Sequence, residues 1–429
     1  MLEKKYLEGI ICLVLLFSVS LSGAKSFVPS ISYDPLTNNY QYLGKQKNNL
    51  IIIDEEIDLK GLMCELPQGG TLVFKYGGRI KNGTLIGNET KIKCKRAVFD
   101  KVTIKGVWNV PKISTCFFVD LNYTNSLRDV VALTNPKIQN TVFVEKGEYL
   151  VEAYLNDEAC VEINGNTKFI LDGTIRMNPN GFTHYSIIRV SGENIIVKGR
   201  GSIIGDKHNH MSNDGEWGMG IDLRETVNAR VEGVTVKDCW GDCIFVDNKS
   251  KNILVSDCKL DNSRRQGISI IWAENVRVKD CLITNIGGTA PEYAIDIEPD
   301  IYKSVDNVII ENVRVKNCQG GIMVYGGAVD AHVGNVLVKN CEVSAFKNPA
   351  VYFIKCSDAT LKSSYINQHS AVYPIRCEGV ETILIENNQL ICKNSDDIMR
   401  GAPSEYKEST LLIDIRYCGK ITLNNNKEN

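Results

Sequence analysis

The sequence has little net charge and no long apolar run after its first two dozen residues. Lys and Arg total 49 against 51 Asp and Glu, which excludes an overall electrostatic attraction to nucleic acid. An apolar share of 43% with 23% charged residues excludes a disordered chain. The sequence also lacks a Gly-x-Ser-x-Gly elbow, a phosphate loop and a dinucleotide fingerprint, which removes several enzyme classes.

The first residues predict export. Lys4 and Lys5 precede an apolar run over 10–17, and the small residues 22–24 offer a cleavage site. We predict a signal peptide over 1–24 and a secreted or periplasmic product without a membrane span after cleavage. A short membrane anchor is the alternative, although the run is short for a bilayer.

The chain contains 35 glycines and 15 cysteines and repeats itself. One motif, an alternating strand closed by Asp or Asn and then Cys, occurs five times and ends at Cys239, Cys258, Cys281, Cys318 and Cys341. A second motif interleaves with it and opens at Gly220, Cys243, Gly267, Ala294, Gly321, Ala350 and Ala371, in steps of 23, 24, 27, 27, 29 and 21 residues. Regular steps of this size indicate a solenoid.

Each copy is a short strand of period-two alternation, and Gly, Asn and Asp separate the copies. The pattern predicts an all-β parallel solenoid whose strands stack on their next copies. The five cysteines then share one position, as free stacked thiols rather than disulfides. We predict an N-terminal β-rich cap or first coils over 25–118, the solenoid over 119–429, and a short helix within Asn122 to Ala132.

Residues 199–206 (Gly-Arg-Gly-Ser-Ile-Ile-Gly-Asp), with the strand motifs at 217–222, 241–246, 265–270 and 294–298, resemble right-handed parallel β-helix enzymes of the polygalacturonase-like and pectate-lyase-like superfamily. The resemblance spans roughly residues 125–400. It implies a right-handed parallel β-helix and a carbohydrate-active enzyme. Of the hydrolase family's catalytic acid positions, only Asp242 is matched.

Alternation directs one set of side chains inward, and the residues between them, many of which are charged, point outward from the opposite face. The inward set is Ile221, Leu223, Ile244, Val246, Ile268, Ile270, Ile295, Ile297, Ile322 and Val324. The candidate catalytic residues are Asp242, Asp247, Asp296, Glu298 and Arg265, and the candidate substrate-binding residues are Trp217, Asp222, Arg224, Arg264, Gln266, Tyr293 and Tyr325. Structural ion pairs such as Arg224 with Asp247 are the alternative interpretation. The next coils present Met323, Tyr325, Tyr352 and Tyr373, so the charge is predicted to be localised.

Neighbouring carboxylates resist ionising together, which leaves an acid beside a base. A glycoside hydrolase is therefore the first hypothesis, with Glu298 as general acid, Asp247 or Asp296 as base, and inversion of configuration. The second is a lyase or epimerase acting on a uronate polymer, with Ca²⁺ on the carboxylates and Arg264 or Arg265 as base. The third is a non-catalytic carbohydrate-binding or adhesive solenoid. Apart from Ca²⁺ in a lyase, no metal or cofactor is predicted, and the expected partner is a polysaccharide or oligosaccharide.

Overall fold

The computed structural model describes residues 15–16, 30–34, 39–43, 50–393, 410 and 412–428. The predicted signal peptide lies outside these residues except for one two-residue strand. The described helical structure is a 3-10 turn, Thr115–Phe117, and one α-helix, Ser126–Val131. This helix confirms the prediction of a short helix in that region. No helix of the described ranges is long and apolar enough to cross a membrane.

The first strands form a mixed sheet of nine members. They are Leu15–Leu16, Ser30–Asp34, Asn39–Leu43, Leu50–Ile53, Glu56–Asp58, Met63–Glu65, Thr71–Phe74, Arg79–Lys93 and Phe99–Trp108. The division between this sheet and the strands that follow lies between Trp108 and Lys112, and the domain boundary near residue 118 stays a prediction.

The rest of the described chain winds through two sheets of parallel strands, a long sheet of 21 strands and a short sheet of 11. The long sheet contains Lys112–Ser114, Asn140–Val144, Glu158–Asn164, Thr167–Leu171, His184–Gly199, Trp217–Glu232, Ile244–Asp247, Ser250–Ser256, Ile268–Ile270, Ala273–Lys279, Tyr293–Ile297, Ser304–Glu311, Gly320–Tyr325, His332–Val333, Asn335–Lys339, Val351–Ile354, Asp358–Lys362, Ile375–Glu378, Thr382–Glu386, Ile413–Arg416 and Lys420–Asn424. The short sheet contains Glu148–Val151, Thr174–Met177, Ser202–Ile204, Thr235–Lys237, Lys259–Asp261, Leu282–Thr284, Arg314–Cys318, Glu342–Ala345, Tyr365–Gln368, Gln389–Cys392 and Lys427–Glu428.

The register of the coils confirms the predicted parallel β-helix. Ile221, Ile244, Ile268, Ile295 and Ile322 pair in succession, one from each coil. All ten side chains predicted to point inward are fully buried, and burying a side chain of this size stabilises a fold by roughly 1.5–3 kcal/mol. The core is therefore a set of aliphatic columns running along the solenoid.

Asparagines with a left-handed backbone turn the chain at one corner of the coil. Asn194, Asn228, Asn252, Asn275 and Asn307 all have positive φ, which Asn tolerates better than most residues. The side-chain amide of each of the last four donates to the side-chain oxygen of the asparagine one coil earlier. This asparagine ladder holds neighbouring coils in register.

The prediction that the five cysteines share one position is wrong, because they lie in two columns. Register places the first cysteine column at Val234, Cys258, Cys281, Val313 and Cys341. It places the second cysteine column at Cys239, Ser263, Ile286, Cys318 and Ala345. At each of the two corners that carry these columns, the chain turns through an Asp or Asn of positive φ that is followed by a buried small residue. The same Asp/Asn–Cys motif therefore occurs at two different places in the coil. The cysteines of both columns are buried and unbridged, as predicted.

The seventh copy of the second motif is also misplaced by the sequence. Val351 pairs with Ile375 and not with Val372, so the strand begins after Pro374. Arg376 then continues the column of Met323 and Tyr352.

Candidate active site

The strand Tyr293–Ile297 and the residue after it carry two carboxylates on one face. Alternate residues of this strand face the core, so the side chains of Asp296 and Glu298 leave on the opposite face. Ser269 of the preceding coil is the direct neighbour of Asp296. The structure therefore brings Asp296 and Glu298 together on one strand face, as the sequence predicts.

Asp296 is fully buried although it faces away from the core. Gln266 Nε2 donates to Asp296 Oδ2 at 2.8 Å, and Gln266 Oε1 accepts from the backbone N–H of Tyr293 at 2.6 Å. Asp296 Oδ1 is buried and receives no N–H or hydroxyl donor in the described part of the chain. The carboxyl of Glu298 is within hydrogen-bonding contact of Asp296. Two carboxyls in such contact resist ionising together, which marks the pair as unusual.

A second buried carboxylate lies beneath an arginine. Asp242 is fully buried; it accepts from Arg265 Nη1 at 3.3 Å, Ser269 Oγ at 2.8 Å and the backbone N–H of Gln266 at 3.0 Å. Arg265 Nε lies 3.5 Å from Glu216 Oε2. The arginine thus bridges a buried and a half-buried carboxylate. We define the acid cluster as Glu216, Asp242, Arg265, Asp296 and Glu298.

Burial and mutual repulsion set the protonation of this cluster. Burial, and then the charge of Glu298, hold the pKa of Asp296 well above its usual range. Burial also raises the pKa of Glu298 and of Asp242, in both cases against the charge of Arg265. Burial alone would lower the pKa of Arg265, but the surrounding carboxylates outweigh it and raise that pKa. The cluster therefore combines a protonated acid with a permanently charged guanidinium.

Within the coil that carries Glu216, a third buried carboxylate is compensated by two arginines. Asp222 is also fully buried, and its Oδ2 lies 3.3 Å from Arg189 Nε and 2.9 Å from Arg224 Nε. Arg189 is the register neighbour one coil earlier, and Arg224 follows by two residues. Arg224 also contacts His184 Nε2 at 3.0 Å and Asp157 at 3.4 Å. Asp222 and Arg224 are thus parts of an ion-pair network and are not placed to contact a ligand freely.

Asp414 repeats this arrangement further along the same column. Arg376 Nε lies 3.5 Å and Arg416 Nε 2.9 Å from its Oδ2. The expectation that charge is confined to the coils around Asp296 is therefore wrong. The sequence pattern predicts Tyr373 in this column, whereas register places Arg376 there. Asp222 and Asp414 are each followed two residues later by an arginine. Asp296 differs because the residue two positions later is Glu298.

Asp247 belongs to a different ion pair from the one considered. Both carboxylate oxygens accept from Lys303 Nζ, at 3.1 and 3.0 Å, and Lys303 also contacts Asp300 at 2.8 Å. The predicted pairing of Asp247 with Arg224 is wrong, because Arg224 is held by Asp222. Asp247 shares a column with Glu298, two coils apart, but its charge is neutralised locally.

A histidine anchors the segment that carries Glu216. The side chain of His210 is fully enclosed, with Nδ1 2.9 Å from Asp206 Oδ2. Its ring stacks on Trp240 at a centroid distance of 4.0 Å and 16°, and the Tyr185 ring lies 6.1 Å away. This buried ring adds to the backbone hydrogen bonds of Lys207 and Met211 that fix the segment after Asp206 to neighbouring coils.

The same stack extends to an arginine beside the cluster. Arg264 lies over the opposite part of Trp240, with 3.7 Å between Cζ and the ring centroid, and its Nη1 donates to the carbonyl of Gly215 at 2.8 Å. Burial lowers the pKa of Arg264, while Glu216 opposes the shift. The backbone next to Glu216 is thus held by a charged hydrogen bond.

The remaining predicted binding residues divide by exposure. Trp217 is 41% exposed and Tyr325 is half-buried, so both offer surface to a ligand. Tyr293 is 4% exposed and Gln266 fully buried, so neither presents free surface to a ligand, and their contact with substrate stays a prediction. Tyr293 packs its ring against Gly320, and Gln266 is used to hold Asp296.

The sequence did not predict three contacts of the site. They are the ion pair of Glu216 with Arg265, the hydrogen bond from Ser269 to Asp242, and the ion pair of Lys303 with Asp247. Glu216 directly precedes a long-sheet strand, as Asp242 and Arg265 also lie in turns before strands, although register places Met219 rather than Glu216 level with Asp242. A charged residue in the turn before a long-sheet strand is the signal that could have identified it. Lys303 lies in a turn of irregular length, and nothing in the repeat places it beside Asp247.

The described residues contain no group of three or more His, Cys, Asp or Glu side chains that could hold a metal ion. The Ca²⁺ site considered for a lyase therefore has no described counterpart, and the question of a cofactor stays with the proposal below.

A family model for the right-handed β-helix region matches residues 152–298. Together with the strand register, this match confirms the predicted right-handed parallel β-helix fold. The chain is a right-handed parallel β-helix protein.

Two curated proteins of Bacillus subtilis (strain 168) are similar in sequence. The uncharacterized protein YclG is 28% identical over 327 residues, which is 62% of this chain and 55% of YclG. The SPbeta prophage-derived uncharacterized protein YorA is 31% identical over 188 residues, which is 37% of this chain and 32% of YorA. The chain thus spans about half, or less, of the length of these relatives.

Several solved structures are similar at 12% identity. They are the mannuronan C-5 epimerase AlgE4 A-module of Azotobacter vinelandii (TM-score 0.45, 67% of this chain and 86% of that chain), an alginate lyase of Paenibacillus sp. str. FPU-7 (0.42, 74% and 99%) and an exopolygalacturonase of Thermotoga maritima (0.45, 66% and 87%).

Proposed function

We propose that the protein is a glycoside hydrolase that cleaves a polysaccharide or oligosaccharide at the acid cluster. The observation that carries the proposal is the pair Asp296 and Glu298, two carboxyls of raised pKa on one strand face beside the charged Arg265. Glycoside hydrolysis requires one carboxyl that keeps its proton near neutral pH and a second that is ionised.

We assign the general acid to Glu298, which is half-buried; burial raises its pKa, and the charges of Asp300 and Glu216 add to that shift. The base is Glu216, which contacts Arg265 and comes from the opposite end of the parallel strands. Asp296 is enclosed and Asp247 is neutralised by Lys303, so neither is well placed to accept a proton from water.

In the proposed reaction the glycosidic C–O bond breaks as Glu298 gives its proton to the leaving oxygen. A water molecule attacks the anomeric carbon from the other side and gives a proton to Glu216, so the configuration inverts. Glu216 then returns its proton to solvent and Glu298 takes one up, which restores the starting state without a cofactor.

A lyase or epimerase acting on a uronate polymer is the second candidate, and Arg264 is the observation that favours it. Burial against Trp240 lowers the pKa of Arg264, which is the change that an arginine base requires. Arg265 does not suit this role, because its neighbours raise its pKa.

The test is a panel of neutral and uronate polysaccharides on which reducing ends, absorbance of unsaturated uronates and C-5 epimerisation are measured separately. Reducing ends without unsaturation support the hydrolase, unsaturated ends or epimerised sugar support the second candidate, and no reaction on any polymer would favour a non-catalytic solenoid. A hydrolase should keep its activity in EDTA, whereas loss with EDTA and recovery with Ca²⁺ would contradict the proposal.

The residue test compares Glu298→Gln and Glu216→Gln with Glu342→Gln, a control on the short sheet that is paired with Lys316. Each cluster variant should lose at least about 100-fold in turnover, and the control should lose little. Normal activity in both cluster variants would place the chemistry elsewhere. Export is part of the proposal and is tested by cell fractionation.

A further inference from the structure

A second concave site lies outside the acid cluster, around the corner of the coil. A cavity of about 360 Å³ is lined by Lys249, Lys251, Trp272, Glu274, Asp306 and His332, among others. This volume is at the lower end of the range of small-ligand sites, about 300–1,000 Å³. Ser304, which also lines it, directly follows Lys303, whose Nζ lies 3.0 Å from Asp247 Oδ2.

Most of the charges that line the cavity are already compensated. Lys251 Nζ pairs with Glu274 at 2.9 Å. Asp306 Oδ1 accepts from the backbone N–H groups of Asn307 and Asn335, at 2.8 and 3.0 Å. Lys249 differs: within the described chain it makes no ion pair, and its Nζ lies 4.7 Å from the centroid of the Trp272 ring.

The backbone conformation of the turn positions Lys249 over that ring. Asn248 and Lys249 both have left-handed φ, 55° and 60°, a conformation that costs a lysine free energy. The turn therefore holds the Lys249 ammonium over the face of the half-buried Trp272, in a cation–π contact and without a carboxylate partner in the described chain. An aromatic face binds the apolar face of a sugar ring, and a lysine beside it binds an anionic substituent on that ring.

We propose that this cavity is a non-catalytic binding site for one saccharide ring that carries a carboxylate. The carboxylate pairs with Lys249 and draws its ammonium off the Trp272 face, and the saccharide ring stacks on that face in its place. The choice of a saccharide rests on the proposed function, and the site would hold a polymer beside the acid cluster while a neighbouring segment is cleaved.

The experiment follows each tryptophan separately. The chain has four tryptophans, so labelling with 5-fluorotryptophan gives four ¹⁹F resonances, and Trp272→Phe assigns the one of interest. Glu298→Gln protein is titrated with sodium galacturonate and, at the same ionic strength, with galactose. We expect galacturonate to shift the Trp272 resonance and galactose to shift it at least about fivefold more weakly, which is about 1 kcal/mol.

Lys249→Asn removes the charge and tolerates the left-handed turn, and it should abolish the preference for galacturonate. Lys355→Asn is the matched control, an exposed lysine of positive φ after a later strand. A Trp272 resonance unmoved by galacturonate, or moved equally in Lys249→Asn, would overturn the proposal. A shift confined to Trp217 or Trp240 would also overturn it while leaving the proposed function intact. Absence of catalysis by the wild type, with the Trp272 response present, would contradict only the proposed function.

Discussion

Replacing Asp296 by Asn should stabilise the fold at neutral pH. The carboxyl is fully buried, and burial together with the charge of Glu298 holds its pKa well above the usual range. The folded state therefore keeps a proton that the unfolded chain releases above its ordinary pKa of about 3.9. Asparagine preserves an oxygen for the bond from Gln266 and carries no charge at any pH.

The magnitude follows from proton linkage. The stability that the Asp296 proton contributes is fully present below about pH 3.9 and is lost as the pH rises through the raised pKa of the folded state. Within that window the wild type should lose up to about 1.4 kcal/mol of unfolding free energy per pH unit relative to Asp296→Asn. Above the raised pKa the difference should become constant.

Urea unfolding of both proteins at intervals from about pH 4 to about pH 8 measures the effect, as midpoints if the transition is not two-state. Glu298→Arg provides a second variant, because it recreates beside Asp296 the carboxylate–arginine pair of Asp222 and Arg224; it too should flatten the pH dependence and abolish turnover. Asp247→Asn is the control and should gain no stability. A pH-independent difference, or Asp296→Asn less stable at every pH, would refute the reasoning.

Three further outcomes are expected. Arg265→Met should lower the unfolding free energy by about 3–5 kcal/mol, measured in urea, because it leaves Asp242 buried without its cation; an unchanged midpoint would contradict the ion pair. His210→Ala should expose the segment 206–216 to limited proteolysis and lower turnover, and unchanged protection would show that the ring stack does not anchor it. Substituting Val for any cysteine of the first cysteine column should change stability by less than about 1.5 kcal/mol, since Val already occupies that column twice, and thiol titration of the unreduced, denatured chain should find most cysteines free.

The sequence was sufficient to predict the stacking of the coils and which side chains point outward on the long sheet. Inward aliphatic residues two apart can stack in only one register, since a slip by one residue would turn the whole set outward. For that reason the neighbours of Asp296 and the column shared by Asp247 and Glu298 are where the pattern predicts them. The register fails only at Pro374, where the small residue and apolar neighbours at 371–373 imitate the start of a strand.

Partner choice and burial could not be predicted in the same way. Alternation indicates the face from which a side chain leaves, but not whether a neighbouring turn covers it. Gln266 folds over Asp296, and Lys303 arrives from a turn whose length differs from coil to coil. The cysteine motif could not be assigned to one corner for a related reason. Two corners of the coil both require a left-handed Asp or Asn before a small buried residue, so the same motif fits either of them.

One column of the helix separates structural from functional carboxylates, and the distinction is visible in the residue two positions on. Asp222 and Asp414 are followed at that position by arginine, and each also receives an arginine from the coil before. Asp296 has Ser269 before it and Glu298 after it. A buried carboxylate that lacks both cations and gains a second carboxylate destabilises the fold unless it keeps its proton, and the second carboxylate, Glu298, is the group of raised pKa that we assign as general acid. The position where the column departs from its own stabilising pattern is therefore where the chemistry is best sought.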